Sequence, residues 1–99
     1  MIMRVLTGRL RPDVDAETRR KACEDAARAC RSAKGCRGAY FTEPPQDEDG
    51  VLAITFWDSL EDVGNAVSGP LQHGLSSFSV LMYEPPRGRS LEVLASSEG

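Results

Sequence analysis

The stretch VLAITFW, at Val51–Trp57, is the segment of the sequence that decides the fold. Its β-branched and aromatic residues form the strongest strand pattern in the chain. Because successive side chains of a strand point to opposite faces of a sheet, the segment has two sets of side chains. One face is predicted to carry Leu52, Ile54 and Phe56, and the other Val51, Ala53, Thr55 and Trp57. Both faces are therefore apolar.

A strand with two apolar faces needs a cover on each side of its sheet. A sheet covered by helices on one side usually alternates apolar and polar residues. Three large side chains left in water would forgo roughly 1.5–3 kcal/mol each. We favour a second copy of the same sheet as the cover, packed face to face across a two-fold axis. The alternative is a central strand that lies beneath its own loops.

Three further strands are predicted around this segment. Ile2–Leu10 has an extended pattern, and Cys36–Thr42 carries two aromatic residues. Near the end of the chain, Leu91, Val93 and Ala95 alternate with polar residues, which predicts a last strand.

Two helical regions separate the strands. Asp13 or Asp15 caps a helix that is predicted to run to about Ala33, with a buried stripe of alanine and cysteine. Ser59, with an acidic residue three positions later, opens a shorter helix that ends at Ala66–Val67. A second segment of this broken helix is striped by Leu71, Leu75, Phe78 and Met82. The order predicts an α+β fold of the ferredoxin-like, split βαβ type, with a four-stranded antiparallel sheet and helices on one face.

Length and charge exclude several classes of function. The 99 residues make one domain, which we place at residues 1–95, with a flexible tail at 96–99. The net charge of −3 comes from interleaved acids and bases, so the sequence lacks the basic stripe of a nucleic-acid-binding protein. Its longest apolar run is far shorter than the ~20 residues that a membrane span needs. We expect neither nucleic acid nor membrane as a partner.

The three cysteines, Cys23, Cys30 and Cys36, indicate reduced thiols. An odd count without a secretory signal pattern predicts a cytoplasmic protein. Cys23 and Cys30 are two helical turns apart, ~10 Å, which is too far for a disulfide. Cys30 and Cys36 flank a turn, so a bridge between them is a minor alternative. No cluster has metal-ligand spacing, and we expect no metal.

The single tryptophan and the single histidine are the first candidates for a site. If Ala53 and Thr55 face the alanine-rich helix, the layer between them is under-filled, and a cavity follows with Trp57 at one end and His73 near its wall. An apolar cavity with a few polar groups is the usual small-molecule site. The indole can stack on a planar ligand, and the imidazole can exchange a proton near neutral pH. The alternatives are a core tryptophan and a surface histidine.

Three other side chains have a structural and a functional interpretation. Tyr40 is either packing on the second strand or a ligand contact. Arg4 and Arg9 lie in the first strand, where an inward-pointing arginine can bind an acid. Exposure at the rim of the sheet is the interpretation that we favour for both arginines.

Three segments of the sequence resemble the antibiotic biosynthesis monooxygenase (ABM) family. They are MRVLTGRLRP at 3–12, KGCRGAYF at 34–41 and ITFWDSLEDVGNAVSGPLQHGL at 54–75. The resemblance implies a dimeric α+β barrel, in which two ferredoxin-like sheets face each other. Some members oxidise aromatic polyketide intermediates with molecular oxygen and no cofactor, and some degrade haem. The haem-degrading pattern includes an asparagine in the first strand, whereas the only asparagine here is Asn65.

The resemblance implies a cofactor-independent monooxygenase for a small aromatic or polyketide-like substrate. His73 and Trp57 match positions of the family pattern and are the expected catalytic residues. Trp57, Tyr40 and Thr55 are the expected substrate-binding residues, and a homodimer is the expected assembly. The alternatives are a non-catalytic dimer that binds a small molecule or haem, and a polyketide cyclase.

Overall fold

The computed structural model describes residues 1–43, 48–69, 71–72 and 76–97. These residues form four strands, which we number β1 (Ile2–Gly8), β2 (Cys36–Phe41), β3 (Gly50–Trp57) and β4 (Arg87–Glu92). They also form the helices α1 (Ala16–Arg31), α2 (Leu60–Val67) and α3 (Ser76–Ser79). The strands make one antiparallel sheet in the order β2-β3-β1-β4. The predicted α+β arrangement is confirmed, and no helix of the described residues is long and apolar enough to cross a membrane.

Local capping explains where the helices begin. The Asp15 carboxylate accepts a hydrogen bond of 2.7 Å from the backbone N–H of Thr18, as an N-cap does. Ser59 does the same for α2, where its hydroxyl accepts from the backbone N–H of Asp62. After α1 the chain turns at Gly35, whose φ of 84° lies in the left-handed region. Helix α1 ends at Arg31, slightly before the predicted end.

A bulge in β3 corrects the predicted assignment of its faces. Leu6 pairs with Ala53 and Thr7 pairs with Val51, so Leu52 is an extra residue in the ladder. Leu52 is fully buried among residues of α1 and α3 rather than lying beside Ile54 and Phe56. Val51, opposite Thr7, lies instead on the face away from the helices. The prediction was wrong for these two residues because strict alternation assumes an unbroken ladder.

The core between the sheet and the helices has two parts. One contains Ile2, Cys30, Ala33, Trp57, Val63, Ala66 and Leu71. The other contains Ala22, Ala26, Leu52, Phe78, Leu81 and Met82. The predicted stripe therefore contributes Leu71, Phe78 and Met82 to the core, while Leu75 lies outside the described residues.

Two strands end earlier in the chain than the sequence predicts. Strand β1 ends at Gly8, because the chain beyond it no longer pairs with β3. Leu10 makes only a single bridge, to Met82. Strand β4 pairs with β1 from Thr7–Arg87 to Ile2–Glu92 and stops where β1 begins. Val93 adds one hydrogen bond to the carbonyl of Met1. The prediction of a strand centred on Leu91–Ala95 was wrong because β1 sets the register of its partner.

The face of the sheet away from the helices is largely apolar, and we call it the open face. Strand pairing places on it the side chains of Met3, Val5, Tyr40, Val51, Ile54, Phe56 and Leu91, together with the polar Thr7, Arg87 and Arg89. The Tyr40 and Phe56 rings meet edge to face, with centroids 6.3 Å apart. In the single chain Tyr40 is 62% exposed and Leu91 is 37% exposed.

Candidate functional site

A cavity lies between the sheet and the helices, and we call it the sheet–helix cavity. Its volume is about 100 Å³. It is lined by Arg4, Leu6, Cys30, Phe41, Ala53, Thr55, Trp57, Val67 and Leu71. The short side chains of Ala53 and Thr55 leave this space under helix α1, as the sequence predicts. An engineered apolar cavity of about 150 Å³ binds benzene, so this one has the scale of a single ring.

A hydrogen bond within β3 fixes the tryptophan in the cavity wall. The indole Nε1–H of Trp57 donates to the hydroxyl of Thr55 at 2.8 Å. Trp57 is 1% exposed and Thr55 is 7% exposed, so the bond is shielded from water. The two residues are two positions apart and share one face of the strand. The indole therefore presents a fixed apolar surface to the cavity with its polar atom satisfied.

Among the described residues that line the cavity, Arg4 is the only one with a charged side chain. Its strand neighbours are Thr55 on β3 and Ser90 on β4. The guanidinium donates to the Ser90 hydroxyl from Nη1 at 3.3 Å. It lies against the backbone of Gly88, where an added Cβ would stand 2.9 Å from Arg4 Cζ.

Cys30 closes the helix side of the cavity as a neutral thiol. Burial, with a smaller contribution from the neighbouring Cys36 thiol, raises the pKa of Cys30 to about 11. A thiol in such surroundings stays protonated at neutral pH and is a poor nucleophile. Cys30 thus behaves as part of the apolar wall, and all three cysteines are free thiols.

The structure brings together two of the four candidate site residues. Trp57 and Thr55 share the cavity. Tyr40 lies on the open face, on the opposite side of the sheet, where it contacts Phe56. His73 lies outside the described residues. The register between β2 and β3 separates Tyr40 from Trp57, because it pairs Tyr40 with Ile54, and alternation within each strand does not reveal that register.

A larger groove, of about 670 Å³, lies elsewhere, between the start of α1 and the end of β2. Its walls include Glu17, Arg20 and the ion pair of Arg19 with Glu43, whose atoms are 2.5 Å apart. Arg19 and Glu43 in its wall already pair with each other, Arg20 pairs with Glu24 outside it, and among the described residues it shares only Phe41 with the sheet–helix cavity. We therefore take the smaller, apolar cavity as the candidate site. Within the residues described above, no group of metal-ligating side chains is large enough to hold an ion.

Comparison with known proteins gives one family and a set of similar folds. The sequence model of the family described as "Antibiotic biosynthesis monooxygenase" matches residues 1–73. No curated protein matches the sequence.

Three of the similar solved structures illustrate the fold. Rv0793 from Mycobacterium tuberculosis is 14% identical, with a TM-score of 0.75, and the match covers 98% of each chain. A dimeric protein of unknown function and ferredoxin-like fold from Bacteroides fragilis is 14% identical, with a TM-score of 0.68, over 93% of this chain and 95% of that one. An MhuD variant with two manganese protoporphyrin IX molecules bound per active site is 17% identical, with a TM-score of 0.77, over 100% of both chains. At these identities the likeness confirms the ferredoxin-like fold alone.

Proposed function

The chain belongs to the antibiotic biosynthesis monooxygenase family, and we propose that it is a cofactor-independent monooxygenase for a small aromatic or polyketide-like substrate. The observation that carries this proposal is the apolar cavity whose wall holds the Trp57 indole in place. A rigid indole surface orients a planar ring, and orientation lowers the barrier of a reaction. The expected substrate therefore enters the cavity with one ring.

The reaction is the conversion of a phenol with a free ring position into a quinone. Phenol and O₂ give quinone and water: one oxygen atom enters the ring, and the other leaves as water with two hydrogens from the substrate. All the electrons come from the substrate, so no external reductant is consumed. In the proposed mechanism His73 accepts the phenolic proton as general base, and the resulting anion reacts with O₂. Trp57 and Thr55 form the part of the site that positions the ring.

Haem does not fit the cavity as it stands. The macrocycle is several times larger than about 100 Å³, and the described lining residues include no imidazole. The second candidate is a non-catalytic site for a small apolar molecule, and the same cavity favours it. A polyketide cyclase, the third alternative, uses the same cavity without taking up oxygen.

We also propose that the protein is a homodimer that pairs its open faces. The support is the apolar character of that face, where Ile54 and Phe56 are only partly buried in the single chain. One similar fold belongs to a protein described as dimeric. Pairing two such faces buries apolar area and completes a barrel of two sheets. Sedimentation equilibrium at micromolar concentration is expected to give twice the mass of one chain.

A cytoplasmic location is the further part of the proposal. Three free thiols, one of them buried, suit a reducing compartment. Cell fractionation with an antibody against the native protein is expected to find it with cytosolic markers, and recovery in a secreted fraction would contradict this.

Oxygen consumption tests the monooxygenase proposal. The purified protein is incubated with a panel of hydroquinones and polyphenols, with an oxygen electrode and mass spectrometry of products made under ¹⁸O₂. We expect one labelled oxygen atom in the product and a large loss of rate in Trp57→Phe and His73→Ala. Gln72→Ala, at an exposed neighbouring position, is the matched control.

The other outcomes assign the alternatives. Quenching of Trp57 fluorescence by a ligand without oxygen uptake indicates the non-catalytic binding protein. A product that gains no oxygen and loses water indicates a cyclase. A Soret shift on titration with haem indicates haem binding and shows that the cavity can widen.

A further inference from the structure

We propose that Arg4 binds an anionic oxygen of the substrate, so that the sheet–helix cavity takes aromatic acids rather than neutral aromatics. This inference rests on the proposed function only in using the same cavity. It adds the chemical class of the substrate and the residue that selects it.

The first support is that no carboxylate of the described residues pairs with the Arg4 guanidinium. Of the nine other arginines of the described residues, six have a carboxylate within 4.0 Å, and the three that do not, Arg31, Arg87 and Arg89, are exposed to water. Arg4 has none within the described part of the chain, although it is half-buried and borders an apolar space. A guanidinium partly withdrawn from water without a counter-charge is costly, and a bound anion removes that cost.

The second support is the fixed position of the group. The Ser90 hydroxyl accepts one N–H of the five that a guanidinium offers. Gly88 gives the guanidinium a flat surface to lie on, because any side chain at that position would collide with it. Among the described residues the remaining N–H groups have no other acceptor, so they can donate to a ligand, and their planar fork matches the two oxygens of a carboxylate.

The third support is the alignment of Arg4 with the aromatic wall. Arg4 on β1 is paired with Thr55 on β3, and Thr55 holds the indole of Trp57. A charged group, a hydroxyl and an aromatic surface thus follow one another along the same wall of one cavity. A ring that packs on the indole with an acidic substituent directed to Arg4 meets all three.

Binding measured by ¹⁹F NMR tests this proposal without any turnover. The probes are 4-fluorobenzoate and 4-fluorobenzamide, which share shape and differ in charge at pH 7. We expect the benzoate to bind about tenfold more tightly than the benzamide, a difference of about 1.4 kcal/mol. In Arg4→Gln this preference is expected to disappear, with little change in the affinity for the amide, which also shows that the variant is folded.

Two further variants separate charge from geometry. Arg4→Lys keeps the charge but not the fork, and it is expected to keep only part of the preference. Gly88→Ala keeps Arg4 but displaces its guanidinium, so it is expected to weaken benzoate and spare the benzamide. Arg11→Gln, which removes an exposed arginine beyond β1, is the control and should leave both affinities unchanged.

A third probe distinguishes the two acids that the site can select. The phenol 2-fluoro-4-nitrophenol is titrated on both sides of its ionisation. An affinity that rises with the phenolate and falls in Arg4→Gln extends the class to ionised phenols, and an affinity independent of ionisation restricts it to carboxylates.

Equal binding of benzoate and benzamide, no binding of either, or an unchanged preference in Arg4→Gln overturns the proposal. Benzoate binding without oxygen uptake on any phenol leaves the Arg4 site standing and refutes the monooxygenase.

Discussion

The bond between Trp57 and Thr55 couples the site to the stability of the fold. Because both residues are buried, the indole N–H cannot donate to water if the Thr55 hydroxyl is lost. In Thr55→Val the shape is kept and the acceptor is lost, so we expect a loss of about 1–3 kcal/mol in the free energy of unfolding. Thr55→Ser keeps the hydroxyl and loses one methyl group, which costs about 0.8 kcal/mol. Urea denaturation followed by Trp57 fluorescence measures both, and a Thr55→Val variant as stable as the wild type would show that the bond contributes nothing.

The thiol of Cys30 predicts a loss of stability at alkaline pH. Its pKa rises from an ordinary 9.0 to about 11 in the folded protein, chiefly through burial. Above pH 9 the unfolded chain releases this proton while the folded protein retains it. The folded state then binds more protons, so the free energy of unfolding falls as the pH rises from 9 towards 11.

The variant Cys30→Ala isolates this contribution. It is expected to be less stable at pH 7, because it removes a buried atom, yet to lose less stability between pH 8 and pH 11. Chemical denaturation at each pH gives the two slopes. Parallel slopes would mean that Cys30 titrates alike in both states.

That Trp57 and Thr55 share a face was predictable from the sequence, and the position of Leu52 was not. Alternation along β3 groups Ala53, Thr55 and Trp57 on one face but does not say which, and the structure shows that this face lies against the helices. The bulge at Leu52 depends on how β1 and β3 pair, and nothing in the local pattern of either strand indicates it. The position of Arg4 was open for a similar reason, since its surroundings come from Thr55, Gly88 and Ser90 on other strands.

Among the elements, helix α2 begins at a cap that the sequence predicts and ends at the sheet–helix cavity. Its cap Ser59 is readable in the sequence, and its far end brings Val67 to the cavity. Ser59→Ala removes the acceptor for the N–H of Asp62 and is expected to cost about 1 kcal/mol of stability.

A matched variant at the other end of α2 controls for this change. Ser68→Ala removes an exposed hydroxyl that only donates to the carbonyl of Gly64, so it is expected to change stability by less than about 0.5 kcal/mol. Thermal unfolding of both variants gives the comparison. A Ser68→Ala loss as large as that of Ser59→Ala would assign the effect to the helix surface rather than to the cap.

The helices were predicted closely and the edge strand was not, because their limits have different physical origins. Asp15 and Ser59 begin their helices through hydrogen bonds within three residues. Strand β4 has low β-propensity at Arg87-Gly88-Arg89 and forms because β1 offers it a pairing edge. Its register is a property of the sheet and not of its own sequence.

For the whole molecule, the decisive question is what covers the open face. Phe56 lies on that face, on a central strand and opposite Met3 of β1, so Phe56→Glu places a charge where the two sheets of a dimer would meet. Burying an unpaired carboxylate costs several kcal/mol, whereas the same residue in a single chain faces water. We therefore expect Phe56→Glu to be a folded monomer in sedimentation equilibrium, with unchanged far-UV circular dichroism.

The matched control for this variant is Leu60→Glu. Leu60 is 62% exposed at the start of α2, on the helix side of the sheet, and an acidic residue there favours the helix dipole. It is expected to leave the dimer intact, which assigns the effect of Phe56→Glu to the open face rather than to added charge. A wild-type chain that sediments as a monomer at micromolar concentration, or a Phe56→Glu variant that still dimerises, would mean that the open face is not the interface. The apolar side chains of β3 on that side would then need a different partner.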